Sequence, residues 1–148
     1  CGLKDANSTE IDKKTPFPVV DILHEQKDNI KNSNYGGTMR LGDWPANLVE
    51  GTKIYKLYKK KSIIERHRHR YEINPDFIPE LEKNGITFSG KSPDRDLMEF
   101  MELNDHPYFV ATQAHPEFRS RPMRPSPLFD GLIKASIKNT GKNIGKKY

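Results

Sequence analysis

The sequence is short of cysteine and of long apolar stretches. Cys1 is the single cysteine among 148 residues, which excludes an intramolecular disulfide and a cysteine-built metal cage. One thiol fits a reducing compartment, so a cytoplasmic location is expected. No run reaches the roughly 18 apolar residues that span a bilayer, so no membrane partner is expected. The first residues, Cys1-Gly2-Leu3-Lys4-Asp5, lack a signal-peptide layout and an initiating methionine. The chain reads as beginning within a domain. No repeat is visible, and Gly36 and Gly37 lack the Lys-Ser/Thr spacing of a phosphate-cradling loop. Apolar residues amount to 34% against 30% charged, a modest core for one domain's length. That balance points to long solvated loops or to a piece of something larger.

What is present in excess is positive charge, +5 overall and unevenly placed. Lys134, Lys138, Lys142, Lys146 and Lys147 load the end of the chain, and Lys59, Lys60, Lys61, Arg66, Arg68 and Arg70 load its middle. Such a balance permits contact with nucleotides, nucleic acid or an anionic surface without choosing among them.

The patterning alternates strands and helices, an α/β reading. Phe17 to Leu23 reads as a strand and His24 to Tyr35 as a polar loop. Gly36 to Gly42 reads as a strand entered from a glycine turn, and Gly51 to Lys60 as a short helix. Ile63 to Ile73 alternates as one charged strand. Asn74-Pro75 is a helix start, with Gly85 as its stop. Ile86-Thr87-Phe88 is a further strand, and Leu97 to Leu103 with Tyr108 to Thr112 form a hairpin around Asn104-Asp105-His106-Pro107. Leu128 to Ile137 is an amphipathic helix, and 138–148 a basic, solvated tail.

Three groups of residues suggest chemistry. His115 and Glu117 have the types of a base and its orienting acid: the imidazole takes a nucleophile's proton, and the carboxylate fixes its tautomer. A flat strand puts positions i and i+2 on one face, and Pro116 suits a strand end turning into a loop. A loop histidine beside an unrelated surface glutamate is the plainer alternative. In Glu65-Arg66-His67-Arg68-His69-Arg70-Tyr71-Glu72, a strand would put three guanidinium groups on one face and His67, His69 and Tyr71 on the other. That face suits a phosphate, a carboxylate, an RNA backbone or an ion-paired edge. No further ligand completes a metal site around the two histidines, so no metal is expected. Asp5-Ala6-Asn7-Ser8-Thr9-Glu10 reads by itself as a loop with capping residues.

Taken together, these segments resemble the CTP synthase family. The resemblance rests on Asp5-Ala6-Asn7-Ser8-Thr9-Glu10, Gly36-Gly37-Thr38-Met39-Arg40-Leu41-Gly42, Glu65 to Glu72, Asp105-His106-Pro107-Tyr108-Phe109 and His115-Pro116-Glu117-Phe118, in the family's order from Gly2 to about Ile137. His-Pro-Glu is shared by many class I glutamine amidotransferases, whereas the Arg-His-Arg-His-Arg-Tyr-Glu and Gly-Gly-Thr-Met-Arg-Leu-Gly runs are more particular. The resemblance implies the C-terminal portion of a class I glutamine amidotransferase-like, flavodoxin-like α/β domain over 1–137.

It also implies a parent enzyme that hydrolyses glutamine at a Cys-His-Glu triad and passes the ammonia to UTP, activated by ATP and Mg²⁺, with GTP as effector. His115 matches the triad base and Glu117 its acid. Glu10 and Arg70 match two residues that hold the substrate glutamine, a carboxylate for its α-amino group and a guanidinium for its α-carboxylate. Met39 and Arg40 fall near the glutamine or GTP region. The partners implied are glutamine and a synthetase domain of the same enzyme, in a homotetramer, with no nucleic acid. No cofactor is expected on this segment itself.

The departures matter as much. The family's nucleophile sits in a Gly-x-Cys-x-Gly-x-Gln elbow well ahead of the acid that Glu10 matches, and Cys1-Gly2-Leu3-Lys4 does not fit that elbow. Cys1 is therefore not expected to be the nucleophile, and the 148-residue piece alone is expected to be inactive. Ile11 and Ala114 stand where an aromatic is often found. Two other readings compete: an amidotransferase relative serving another acceptor enzyme, and a basic RNA-binding module. Against the second, only Tyr71 offers an aromatic for base stacking beside the arginines.

Overall fold

The computed structural model describes residues 1–22 and 39–144, the last four of these as backbone alone. The expected polar loop, the Gly36-Gly37-Thr38 turn and the end of the basic tail lie outside the described residues. Two sheets make up the frame. The smaller has the order β1–β2–β5, where β1 is Asn7–Ser8, β2 Pro18–Ile22 and β5 Tyr71–Ile73. The larger has the order β4–β3–β6–β7–β8, with β3 Arg40–Leu48, β4 Ser62–His69, β6 Ile86–Lys91, β7 Met98–Leu103 and β8 Val110–Thr112. The described pairings are antiparallel except β1 with β2.

The single strand expected from Ile63 to Ile73 is two strands in two sheets. Its first part pairs with β3 as far as Arg40 opposite His69. Its last part pairs with β2, Ile22 opposite Tyr71 and Val20 opposite Ile73. Arg70 is the residue at which the chain leaves one sheet for the other. Within β4 the expected alternation holds: Ile63, Glu65 and His67 are buried, and Ile64, Arg66 and Arg68 are exposed.

Helix α1, Lys53–Tyr58, is short and is held at both ends. The Thr52 hydroxyl accepts from Tyr55 N–H, and the buried Glu102 carboxylate accepts from Lys53 N–H at 2.9 Å and Ile54 N–H at 3.1 Å. These are the N–H groups a helix start leaves without intrahelical partners. Lys59 ends it with φ 55°. Asn74 caps a 3-10 turn, Pro75–Phe77, that runs into α2, Ile78–Lys83. The core is Ala46, Leu48, Ile54, Ile63, Phe100 and Leu128, with Tyr55, Leu57, Tyr58 and Val110 against it.

The last helix, α3, spans Pro127–Ile144, seven residues beyond the Ile137 end expected for it. Its N-terminal half docks on α1, where Gly131 lets Leu57 and Tyr108 approach closely. Of its apolar face only Leu128 is buried; Phe129, Leu132, Ile133 and Ile137 are exposed. No helix among the described residues is long and apolar enough to cross a membrane.

Candidate active site

After β8 the chain turns sharply. The Thr112 hydroxyl accepts from Ala114 N–H at 3.0 Å, and His115 N–H donates to the Arg66 carbonyl at 2.7 Å. Pro116 has no N–H with which to continue a ladder, and it opens a single 3-10 turn, Pro116–Phe118. The flat-strand arrangement expected for His115 and Glu117 is therefore corrected to a turn. Its far side is tied down by Arg119, whose Nη2 donates to Asp43 Oδ2 on β3 at 2.6 Å. Arg66 also leans on Asp43, 3.5 Å from Oδ1.

On this turn His115 Nδ1 donates to Glu117 Oε1 at 2.7 Å, and the imidazole stacks on Phe118 with ring centres 5.3 Å apart. The hydrogen bond from His115 holds the Glu117 carboxyl below the usual carboxylate range. With Nδ1 engaged by an acceptor, Nε2 is the nitrogen that can take a proton.

Beside the turn is a hollow of about 740 Å³ lined by Glu10, Val20, Met39, Arg68, His69, Arg70 and Gln113, among others. Glu10 follows β1, and Arg70 stands where β4 gives way to β5. Because β2 lies between β1 and β5, residues sixty positions apart reach one cavity. His115 and Glu117 are not among its lining residues. They adjoin it through Gln113, which lines it two residues before His115. Cys1 is exposed and lines a different hollow, with Leu3, Lys4, Val19 and Leu81.

Under the hollow lies a buried polar cluster in which His67 and His69, singled out by residue type, meet Arg40, Glu72 and Glu99, a meeting that residue types alone did not show. Arg40, only 2% exposed, bridges Glu72 on β5 at 3.2 Å and Glu99 on β7 at 2.7 Å, and so links the two sheets. Its guanidinium lies 4.8 Å from the centre of the Trp44 ring. His67 Nδ1 and His69 Nε2 are 2.9 Å apart, and His69 Nδ1 donates to the Tyr71 carbonyl at 3.0 Å. Burial, with the charges of Arg40 and the neighbouring histidines, pushes His67 down to about 3. Burial likewise pushes His69 down to about 4. Burial lifts Glu72 to about 7 against the pull of Arg40, and lifts Glu99 as well. A carboxylate inside Leu97-Met98-Glu99-Phe100-Met101 was the available signal, since a charge within an apolar strand needs a buried partner. Among the described residues no group of three or more His, Cys, Asp or Glu side chains is placed to hold a metal.

Comparison with known proteins decides the family. The family model for glutamine amidotransferase class-I matches residues 18–135. The chain belongs to the class I glutamine amidotransferase family. Within it, this amidotransferase chain is 60% identical over 137 residues to the CTP synthase of Methanocaldococcus jannaschii, covering 93% of this chain and 25% of that protein. It is 54% identical over 136 residues to the CTP synthase of Bacillus subtilis, covering 92% and 25%. It thus spans about a quarter of the length of these relatives. Among solved structures, the Trypanosoma brucei CTPS glutaminase domain with bound acivicin superposes with a TM-score of 0.83 at 34% identity, over 93% of this chain and 52% of that one. A GMP synthase-like protein of Thermoplasma acidophilum shares the fold, with a TM-score of 0.50 at 17% identity, over 75% of this chain and 50% of that one. The matched span of the family model contains Arg70, His115 and Glu117.

Proposed function

We propose that this amidotransferase chain is the C-terminal part of the glutaminase domain of a CTP synthase, and that it supplies the base, the orienting acid and the glutamine-holding residues. The observation that carries the reading is the His115–Glu117 hydrogen bond, made on a turn anchored beside the hollow that Glu10 and Arg70 share. The similarity to CTP synthases supports the same assignment.

In this proposal the Glu10 carboxylate takes the α-ammonium of glutamine and the Arg70 guanidinium its α-carboxylate. The arrangement uses opposite charges on opposite groups and a bidentate fork where geometry favours one. The nucleophilic thiol comes from a part of the protein outside this chain. His115 Nε2 accepts the thiol proton as sulfur attacks the side-chain amide, and returns it to the departing nitrogen, which leaves as ammonia. Water then cleaves the glutamyl thioester, its proton passing through His115 back to sulfur and releasing glutamate. Glu117 holds the imidazole in the tautomer that leaves Nε2 available and stabilises the imidazolium. The 148-residue chain alone has no glutaminase activity on this account.

The released ammonia aminates UTP in a synthetase domain of the same protein, with ATP and Mg²⁺ acting there and GTP as effector, in a cytoplasmic homotetramer. None of these groups is assigned to residues of this chain. The test is CTP formation by the full-length protein from UTP, ATP, Mg²⁺ and glutamine, followed by chromatography. CTP with stoichiometric glutamate supports the reading. Glutamate without CTP means an amidotransferase that serves another acceptor.

A further inference from the structure

The buried cluster beneath the hollow obeys two constraints that ask for the same extra proton. The first is hydrogen bonding. His69 Nδ1 faces the Tyr71 carbonyl at 3.0 Å and Glu72 Oε1 at 3.6 Å. Both are acceptors, so Nδ1 carries hydrogen. A neutral His69 then has a bare Nε2, and His67 Nδ1, 2.9 Å away, must donate to it. A neutral His67 in turn presents a bare Nε2 to Glu99. The facing atom, Glu99 Oε2, is 3.6 Å away and has no hydrogen-bond partner among the described residues. Two lone pairs facing each other in a buried site repel, unless one of the atoms carries a proton.

The second constraint is charge. Arg40 is the one buried cation of the cluster and meets two buried carboxylates, Glu72 and Glu99. Arg95, over Trp44, is exposed to solvent, and His115 lies on the outer turn. One proton brings the buried set to neutrality, and an uncompensated buried charge is costly.

We propose that Glu99 is a neutral carboxylic acid donating its proton to His67 Nε2, and that Glu99 and His67 are thereby positioning residues for the glutamine hollow, acting through His69. This deepens the glutaminase reading above and rests on it for the identity of the ligand. Glu99 rather than its neighbours holds the proton for reasons of geometry. Glu72 Oε1 receives Arg40 Nη1 and faces the hydrogen on His69 Nδ1, so it is occupied as an acceptor. An imidazolium at His67 would stand against the Arg40 charge, and burial favours the neutral ring. Burial favours the protonated form of Glu99 and of Glu72 alike, so the hydrogen-bond geometry is what chooses between them.

The consequence lies in the hollow. His69 lines it beside Arg70, and its ring is fixed by a donor chain running from Glu99 through His67 to the Tyr71 carbonyl. That carbonyl belongs to the residue after Arg70, where β4 crosses to β5. Loss of the proton reverses the chain, frees the His69 ring and loosens the Arg70–Tyr71 backbone.

The experiment uses the full-length protein. In Glu99→Gln the amide oxygen accepts from Arg40 and the amide NH₂ donates to His67, reproducing the acid's pattern; the KM for glutamine should stay within about threefold of wild type. In Glu99→Leu the donor is gone, and KM should rise by about 10- to 100-fold, while amination supported by added ammonia keeps its rate. Histidine-selective ¹⁵N NMR on the wild type should show His67 and His69 both neutral with hydrogen on Nδ1 at pH 7. An imidazolium at His67, or a Gln variant as damaged as the Leu variant, overturns the proposal. Should Glu99→Leu fail to fold, the NMR assignment and the Gln variant decide it. A wild type that never hydrolyses glutamine sinks the glutaminase reading and the positioning role with it, while the NMR result still rules on where the proton is.

Discussion

His115 Nδ1 and Glu117 Oε1 stand 2.7 Å apart across a single proline, and that bond leaves Nε2 as the imidazole nitrogen open to a proton. Glu117→Ala removes the acceptor and lets the ring rotate or change tautomer. Glutamine hydrolysis by the full-length protein should lose ~10²-fold in kcat with little change in KM, and His115→Ala should lose ~10³-fold or more, in line with the contribution of a positioned base. Steady-state glutamate release measures both.

Arg70 sits at the crossover between the sheets and lines the hollow with Glu10. Arg70→Lys keeps the charge and loses the fork, so the KM for glutamine should rise ~10-fold, and Arg70→Ala should raise it further. Rates at saturating glutamine should move far less than KM. Arg66, paired with Asp43 and outside the hollow, should tolerate Lys without a change in KM.

Much of this was legible in the sequence. The hairpin, the Asn74-Pro75 start and the buried and exposed faces of β4 followed from residue types and periods. The break at Arg70 did not, because Ile63 to Ile73 alternates without interruption; only competition between β2 and β3 for the same strand divides it. The turn at Pro116 was half legible, since proline announced an ended ladder but not a 3-10 turn. Arg40, Glu72 and Glu99 come from three strands in two sheets, and no local pattern joins them. The apolar face of α3 was legible as apolar, yet in this chain Phe129, Leu132, Ile133 and Ile137 remain uncovered.

Half-buried Tyr58 and buried Glu65 form a second polar pair: the Tyr58 hydroxyl donates to Glu65 Oε1 at 2.9 Å. Burial, with the adjacent Glu65 charge, pushes the phenol well above its usual range, and burial lifts Glu65 also. Tyr58→Phe strips a partner from a buried carboxyl and should cost about 1–3 kcal/mol. Adding Glu65→Leu should recover much of that loss. Native-state hydrogen exchange of β4 amides gives both values.

The buried titrating groups also set an acid limit. His67 and His69, depressed to about 3 and 4 from 6.5, bind protons only on unfolding as the pH falls below 6.5, so they weaken the fold in acid. Glu72, raised from 4.5 to about 7, binds its proton earlier in the fold than in the unfolded chain, so between pH 4.5 and 7 it acts with the opposite sign. Glu99, also raised by burial, acts in the same direction as Glu72, so two carboxyls offset two histidines and the local stability of β3, β4 and β7 should vary little between pH 4.5 and 6.5. Below pH 4.5 both carboxyls are protonated in both states and the histidines act unopposed. Each then removes roughly 1.4 kcal/mol per pH unit down to its own folded value. Hydrogen exchange corrected for intrinsic rates, with His67→Asn as the comparison, should show a shallower acid slope in the variant.

The most direct test separates the two nitrogen sources in the full-length protein carrying His115→Ala. CTP formation from UTP and ATP should vanish with glutamine and persist at the wild-type rate with added ammonium. Undiminished glutamine-dependent CTP formation, or no CTP from ammonium in either protein, would contradict the account.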